Sequence, residues 1–294
     1  MPKFSVILPI YNVELYIEQA LLSLQNQTYS DFEALCVDDC GTDNSMKIVE
    51  RFARNDDRFK IIRYEQNKGP SYARNIAMKE MQGEYLFFLD PDDFISPEAF
   101  EKILSKFEIT NADSIWFDFF VFEQNKGIKG IKNAIYTNSN DIYNLTPKNF
   151  AECPQYIWNK AYRISKIRQL NVEFPVGLFY QDTEFYFKIF TNITTIGYIN
   201  EPLYCYRVRE GSTVTSSQSG KLKRINDLFI IINNLYKYAK EKNIYNDYKL
   251  FFLKMLAQYL NWQRNDIQKE IVIQNGTKLI NMLKFPEDFK EFCV

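Results

Sequence analysis

The amino-acid sequence predicts an α/β fold with a mainly parallel sheet and a helical C-terminal region. Short apolar runs rich in β-branched and aromatic residues recur along the chain, amphipathic stretches separate them, and polar residues follow several runs directly. Alternating strand and helix signals at this spacing are typical of right-handed βαβ units. We therefore expect one α/β domain over residues 1–220 and a helical region over residues 221–294.

The first half of the expected α/β domain carries four strand signals and three helix signals. Continuous apolar runs indicate strands that are buried on both faces, and they cover residues 4–9, 32–37, 59–65 and 84–90. Between these runs, apolar side chains at helical spacing mark one face of each helix. These stripes are Ile17, Leu21 and Leu24, then Met46, Val49 and Phe52, then Ala73, Ile76, Ala77 and Met81.

The second half is less regular. The sequence predicts a strand at residues 114–123, a hairpin or loop insertion at 125–141, a helix at 182–190 and two strands at 194–199 and 203–208. The pattern then changes near residue 220 to amphipathic helices, expected at 228–240 and 250–263. This half is predicted to complete a mixed sheet.

The whole-chain composition excludes several classes of protein. A net charge of −1 and an isoelectric point of about 5.8 argue against nucleic-acid binding through a broad basic surface. The absence of histidine removes Ser-His-Asp and Cys-His nucleophiles, so a catalytic base or metal ligand is expected to be a carboxylate. Five cysteines without a C-x-x-C pair, and no signal peptide or bilayer-spanning apolar run, favour a reducing, cytoplasmic location.

Polar side chains follow three of the expected strands at one edge of the sheet. They are Asp38 and Asp39 after the second strand, Asn67 beyond the third, and Asp90 and Asp92 after the fourth. Ligands of such sheets bind at the carboxyl ends of the strands. Two carboxylates one residue apart, completed by water and phosphate oxygens, suit magnesium or manganese.

Four segments in order resemble a known family. "FSVILPIYN", "VDDCGTDNS", "NKGPSYARN" and "FLDPDD" resemble the inverting nucleotide-sugar glycosyltransferases of family 2, which have the GT-A fold, and the resemblance covers residues 4 to about 213. It implies a donor half at about 1–110 and an acceptor half at 111–220. The chain departs from the family at Cys40 and Gly41, where Gly-Ser is usual, and at Pro91, which restrains the backbone of the acidic loop.

The resemblance implies a binding site for a UDP-sugar in the first half. Pro9 and Tyr11 would form the wall against which uracil lies, and Asp39 would accept the imide N–H. The remaining donor contacts would come from Asn67, Arg74 and Asp90, with Asp90 and Asp92 holding a divalent metal.

The second half would supply the base and the acceptor contacts. Asp182 matches the position of the family's catalytic base, and Gln181 stands where the family has glutamate. Trp158 and Lys160 would contact the acceptor, with a core role for Trp158 as the alternative. Arg207, Arg209 and Ser212 would belong to a mobile loop over the diphosphate, and a purely structural loop is the alternative there.

Three further polar residues have structural alternatives. Asp38 is expected to make a hydrogen bond within its turn, and Asn75 is expected to serve helix packing. Asp93 is expected to cap the helix that would follow it at least as readily as to bind a ligand.

The resemblance implies metal-dependent, inverting transfer of a sugar from a UDP-sugar to a hydroxyl of a glycan or lipid-linked acceptor in a bacterial surface-glycan pathway. Two alternatives stay open from the residues: a non-catalytic nucleotide-sugar binding module, and a haloacid-dehalogenase-type phosphatase. For the C-terminal stripes, packing on the α/β domain is the default expectation. A homodimer through these helices and peripheral contact with the inner face of the cell membrane are the alternatives.

Overall fold

The computed structural model describes residues 1–123, 126–132, 142–193, 195–209, 221–261 and 269–283. Within these residues ten strands form one sheet in the order β3-β2-β1-β4-β9-β6-β10-β5, with β7 on β6 and β8 on β10. The strands are β1 (Phe4–Ile10), β2 (Phe32–Asp38), β3 (Phe59–Arg63), β4 (Tyr85–Phe88), β5 (Phe94–Ile95), β6 (Ser114–Glu123), β7 (Gly127–Lys132), β8 (Ile142–Asn144), β9 (Lys160–Arg163) and β10 (Thr195–Val208).

Helices cover both faces of this sheet. They are α1 (Ile17–Gln25), α2 (Ser45–Asn55), α3 (Pro70–Glu80), α4 (Ala99–Thr110), α5 (Pro147–Phe150), α6 (Ile164–Leu170), α7 (Gln181–Phe190), α8 (Lys221–Glu241), α9 (Lys249–Asn261) and α10 (Lys269–Leu283). The four strands and three helices predicted for the first half are confirmed. The sequence pattern did not identify α4, α10 or the short strand β9.

Side chains that alternate along β1 and β4 build a separate core on each face of the sheet. Val6, Leu8 and Phe87 pack with apolar residues of α1, α2 and α4. Ile7 and Phe88 pack on the other face, with residues of α3, α6, α7 and the C-terminal helices. Because both faces are covered, β1 and β4 consist almost entirely of apolar residues, as the sequence indicated.

The sheet changes direction at β9. Strands β1 to β4 are parallel, whereas β9 lies antiparallel between β4 and β6. The two strands expected at 194–199 and 203–208 form one strand, β10, with irregular register between Ile199 and Tyr204. The expected hairpin is confirmed where β7 pairs with β6, and residues 133–141 of that segment lie outside the described residues.

The C-terminal helices pack on the α/β domain. Leu228 and Ile231 of α8 and Phe252 and Leu256 of α9 are buried in the same core as Phe187 of α7. The rings of Phe187 and Phe252 lie 5.6 Å apart. The default expectation is confirmed, and the buried stripes are not available to a second copy or to a membrane. No helix in the described part of the chain is both long and apolar enough to cross a bilayer.

Candidate active site

The acidic segment after β4 is a tight turn. The N–H of Asp93 donates to the carbonyl of Asp90 at 3.0 Å, which closes a four-residue turn with Pro91 at its second position, where a fixed φ near −65° is favoured. Leu89, which precedes the turn, is fully buried and donates its N–H to Ile7 in β1 at 3.1 Å. The turn is therefore anchored at the carboxyl end of the parallel half of the sheet.

Each carboxylate of this turn has its own partner, which explains how three acidic side chains lie so close together. Arg74 Nη2 donates to Asp90 Oδ1 at 2.8 Å, and Arg209 Nε donates to Asp92 Oδ2 at 2.6 Å. Burial raises the pKa of Asp90 to about 6; Arg74 opposes the shift and the charge on Asp92 adds to it. Protein cations thus neutralise part of the cluster.

Asp93 anchors the neighbouring strand. It is 2% exposed, and its carboxylate accepts the hydroxyl of Tyr204 at 2.7 Å and the backbone N–H of Arg207 at 2.7 Å. Burial, with the charges of Asp92 and Asp90, raises its pKa well above the ordinary value. The helix-capping expectation was wrong, because strand β5 follows Asp93 directly and α4 begins only at Ala99.

Arg74 on α3 connects the acidic turn to the acceptor half. Its side chain is only 5% exposed, and its Nη1 lies 3.7 Å from Asp182 Oδ1. Among the described residues, Arg74 Nε and Nη1, Asp182 Oδ1 and the neighbouring Gln181 Oε1 are buried without a hydrogen-bond partner. Unpaired buried polar atoms are uncommon in proteins, so this concentration of them favours a polar ligand or ordered water at this place.

The expected base lies in the first turn of α7. Tyr180 precedes the helix in the left-handed conformation, with φ of 61°, and Asp182 faces Arg74 from the first turn. The Asp182 side chain remains 37% exposed. Desolvation raises the pKa of Asp182, whereas the positive charges of Arg74 and Lys160 oppose that rise. The structure thus places Asp182 beside Arg74 of α3.

Asp39, the expected acceptor of the uracil N–H, lies directly after β2. Asp39 is 2% exposed, and its Oδ1 accepts the Tyr64 hydroxyl at 2.6 Å and the backbone N–H groups of Lys68 and Gly69 at 2.8 and 3.2 Å. Asn67 Nδ2 donates to the carbonyl of Asp39 at 2.9 Å. The two predicted base contacts are therefore brought together by the loop between β3 and α3.

The two residues expected to form the uracil wall, Pro9 and Tyr11, differ in exposure. Pro9 pairs with Val37 in the sheet and is buried, whereas Tyr11, just past the end of β1, is 48% exposed. The N–H of Asp39 donates to the carbonyl of Ile10 at 3.0 Å. Ile10 is thus hydrogen-bonded to Asp39, the candidate for the uracil contact, and Tyr11 is the next residue along the chain.

The departure from the family at Cys40 is accommodated by local hydrogen bonds. Cys40 has φ of 58°, a conformation that favours glycine. The N–H of Cys40 donates to Asp38 Oδ1 at 3.0 Å, and the thiol of Cys40 donates to the carbonyl of Tyr64 at 3.0 Å. The structural interpretation of Asp38 is confirmed.

Asn75 also has a structural role, because it exchanges two hydrogen bonds of 2.8 Å with the backbone of Phe174.

Two of the expected acceptor contacts lie inside the protein. Trp158 is 5% exposed and stacks on Tyr204 with ring centroids 4.6 Å apart, which is the core alternative. Lys160 is fully buried, and its ammonium donates to the carbonyls of Pro154 and Tyr156 at 3.1 and 2.5 Å and to Asn159 Oδ1 at 2.8 Å. Burial lowers its pKa to about 7. The structure thus corrects the expectation that Lys160 contacts an acceptor.

The two loop arginines differ in position. Arg207 belongs to β10 and is 5% exposed, and its guanidinium donates to the carbonyl of Asp92 at 2.8 Å and to Gln19 Oε1 at 2.5 Å. It is therefore a strand residue behind the acidic turn, which corrects its assignment to a mobile loop. Arg209 lies past the strand and reaches Asp92, whereas Ser212 lies outside the described residues.

Sequence reasoning missed Tyr64, Tyr204 and Gln19, which hold Asp39, Asp93 and Arg207 in place. The only available signal was the alternation of aromatic residues in the run that forms β10. Tyr204 lies 111 positions from Asp93, and no local pattern specifies such a pair.

The strand order, with an acidic turn where β4 meets the antiparallel β9, defines a GT-A fold. The chain belongs to glycosyl transferase family 2, whose family model matches residues 5–176. The predicted family and fold are therefore confirmed, and the haloacid-dehalogenase alternative is wrong.

Three curated bacterial relatives carry glycosyltransferase names. The chain is 31% identical over 233 residues to poly(ribitol-phosphate) beta-N-acetylglucosaminyltransferase TarS of Staphylococcus aureus strain Mu50, covering 74% of this chain and 38% of TarS. It is 32% identical over 221 residues to glycosyltransferase GlyA of Streptococcus pneumoniae, covering 71% and 31%. Putative glycosyltransferase EpsH of Bacillus subtilis is 30% identical over 257 residues, covering 82% and 73%. The chain thus spans less than half the length of TarS or GlyA.

Solved structures show the same fold. Residues 1–349 of S. aureus TarS in complex with UDP-GlcNAc superpose with a TM-score of 0.75 at 24% identity, covering 99% of this chain and 83% of that one. A mannosyltransferase from Pyrobaculum calidifontis, in complex with GDP-Man and Mn²⁺, superposes with a TM-score of 0.55 at 15% identity. These likenesses establish the arrangement of elements.

Proposed function

We propose that this chain transfers a sugar from a UDP-sugar to a hydroxyl group of a glycan or lipid-linked acceptor, with inversion at the anomeric carbon. The observation that carries the proposal is the position of Arg74. One buried guanidinium lies 2.8 Å from Asp90, on the donor side, and 3.7 Å from Asp182, the candidate base. Donor and acceptor chemistry therefore converge on one group with unpaired N–H donors.

The donor would lie across the carboxyl ends of β1 to β4. Three protein groups donate hydrogen bonds to Asp39 Oδ1. The other oxygen, Oδ2, would accept the imide N–H of uracil. The exposed ring of Tyr11 would stack on the base. The free N–H groups of Arg74 would pair with diphosphate oxygens through charge-assisted hydrogen bonds. A solved TarS structure contains UDP-GlcNAc, which supports a uridine nucleotide here.

The acidic turn fits a divalent metal. Asp90 and Asp92 keep 27% and 20% of their side chains exposed, and Mg²⁺ or Mn²⁺ at nucleotide sites binds through one or two carboxylates plus phosphate oxygens. When bound, such an ion supplies positive charge that stabilises the leaving diphosphate.

Asp182 would act as general base in a single displacement. Its carboxylate takes the proton from the acceptor hydroxyl while that oxygen attacks the anomeric carbon and the bond to the diphosphate breaks. Arg74 favours the ionised form of Asp182 that this step requires. An α-linked donor would give a β-linked product.

The proposal is tested by screening UDP-sugars for slow hydrolysis with manganese or with EDTA, while calorimetry measures UDP binding. We expect UDP to bind and one UDP-sugar to be hydrolysed in manganese. Binding of UDP without hydrolysis or transfer of any donor favours the non-catalytic binding module. Absence of UDP binding contradicts the donor site itself. A cytoplasmic location, with a lipid-linked acceptor presented at the membrane, is part of the proposal.

A further inference from the structure

Tyr156 presents an exposed aromatic ring on top of a buried aromatic stack. It lies before β9 and is 47% exposed. Its ring is stacked on Trp158, with centroids 4.9 Å apart and planes 16° from parallel, and Phe119 meets it edge-on at 5.9 Å. The ring is thus supported from within the protein while much of its surface remains open to solvent.

The backbone beneath this ring is held by a buried cation. Lys160 donates to the carbonyl of Tyr156 at 2.5 Å and to that of Pro154 at 3.1 Å, and its ammonium lies 4.4 Å from the Trp116 ring centroid. A recognition surface binds more tightly when its shape is fixed in advance, because less conformational entropy is lost. The position of Tyr156 is therefore preorganised.

The aromatic stack is continuous with the acidic turn. Trp158 also stacks on Tyr204 and on Tyr206, with centroids 4.6 and 5.5 Å away. The hydroxyl of Tyr204 donates to Asp93 and accepts the N–H of Asp90. Tyr206 is partly exposed. The stack therefore leads from the turn that would face the donor diphosphate to the surface at Tyr156.

We propose that the open face of Tyr156, with the partly exposed Tyr206 beside it, binds a sugar or polyol unit of the acceptor. This inference rests on the proposed function and names its acceptor subsite. An aromatic face matches the apolar C–H face of a pyranose or a polyol, while ring and chain hydroxyls stay in water. Lys160, the cation beneath the platform, already donates to three protein oxygens. The surface therefore suits a neutral carbohydrate better than a phosphate group.

The test uses saturation-transfer-difference NMR on the whole chain with UDP present. The probes are the methyl β-glycosides of glucose, galactose and N-acetylglucosamine, together with ribitol, at millimolar concentration. We expect at least one probe to bind the wild type and Tyr156→Phe through its C–H groups. Tyr156→Ala should reduce that affinity roughly fivefold or more, as loss of an aromatic contact implies.

Matched controls separate this subsite from the donor site. Ile109→Ala removes an apolar side chain on α4 that is more exposed than Tyr156 (74% against 47%) and should leave probe binding unchanged. UDP affinity should be the same in all variants, and the midpoint of thermal unfolding should confirm that Tyr156→Ala folds. No binding by any probe, or equal binding to wild type and Tyr156→Ala, overturns the platform even if UDP binds. Failure of UDP to bind overturns the proposed function instead.

Discussion

The two halves of the α/β domain, the proposed donor side and the proposed acceptor side, each contain a buried cation, and the hydrogen bonds of the two cations differ. Arg74 is 4% exposed and has two N–H groups without partners among the described residues. Lys160 is completely buried, and its ammonium donates to three protein oxygens. Burying a charge is costly unless it is paired. A cation whose donors are all used maintains the structure, whereas one with unused donors is positioned to bind a ligand.

The largest expected effect is the loss of transfer when Asp182, the candidate base between the proposed donor and acceptor sides, is substituted. Asp182→Asn keeps the shape but removes proton acceptance, so transfer should fall roughly 10²–10⁴-fold. UDP affinity by calorimetry should barely change, because the residue faces the acceptor hydroxyl. Glu173→Gln, an exposed carboxylate paired with Lys79, is the control. Near-normal turnover of Asp182→Asn would mean that another group is the base.

The pH dependence of transfer should also report the ionisation of Asp182. The base works only when ionised, and the pKa of Asp182 lies above its ordinary value. Activity should therefore fall as the pH drops through that raised pKa. Substituting Arg74 removes the charge that favours the ionised form, so the acid limb should move to higher pH. If the acid limb of the pH–activity profile does not move in the Arg74 variant, the charge of Arg74 does not influence the ionisation of the base.

Parallel substitution of the two cations tests their different roles. Arg74→Met should weaken UDP binding by about 1.5–3 kcal/mol, the usual contribution of hydrogen bonds to charged groups. Lys160→Met should leave UDP affinity unchanged but lower the free energy of unfolding by about 1–3 kcal/mol, because buried carbonyls lose their donor. Calorimetry and urea unfolding measure the two quantities. Equal loss of UDP affinity in both variants would contradict the distinction.

The sequence predicted the donor side better than the acceptor side because donor-side contacts are more local. Each of β1, β2 and β3 is followed by a helix whose apolar stripe is visible in one short window. Strand β9 has four residues and inserts antiparallel between β4 and β6, so its pairing partners are far away along the chain. The hydrogen bond between Tyr204 and Asp93 was missed for the same reason, since the two residues lie 111 positions apart. Helix α4 is a different case, since its buried stripe of Phe100, Ile103 and Phe107 was legible.

The acidic turn provides a fourth test, which concerns the metal. UDP should bind more tightly with manganese than with EDTA, by roughly tenfold, or about 1.4 kcal/mol. Asp92→Ala should abolish that difference without unfolding the chain, since Asp92 lies on a surface turn. Asp113→Ala, at the opposite edge of the sheet beside Lys166, should keep it. Equal UDP affinity of the wild type in manganese and EDTA would contradict the metal site.

The remaining variants concern the uracil contact. Asp39→Ala should weaken UDP binding by about 1–3 kcal/mol and pyrophosphate binding much less, because it removes the acceptor of the base N–H. Asp39 also holds the loop that contains Lys68 and Gly69 through its Oδ1. A loss for both ligands would therefore mean that Asp39 acts through the fold of this loop.

Tyr64→Phe separates these two roles of Asp39. It removes one hydrogen bond to Oδ1, of 2.6 Å, and leaves Oδ2 in place for uracil. Because the ring still packs against Tyr72, the change should cost only about 0.5–1.5 kcal/mol of stability, and UDP affinity should change less than in Asp39→Ala. If Tyr64→Phe weakens UDP binding as much as Asp39→Ala does, the orientation of Asp39, rather than its free oxygen, determines nucleotide binding on the donor side.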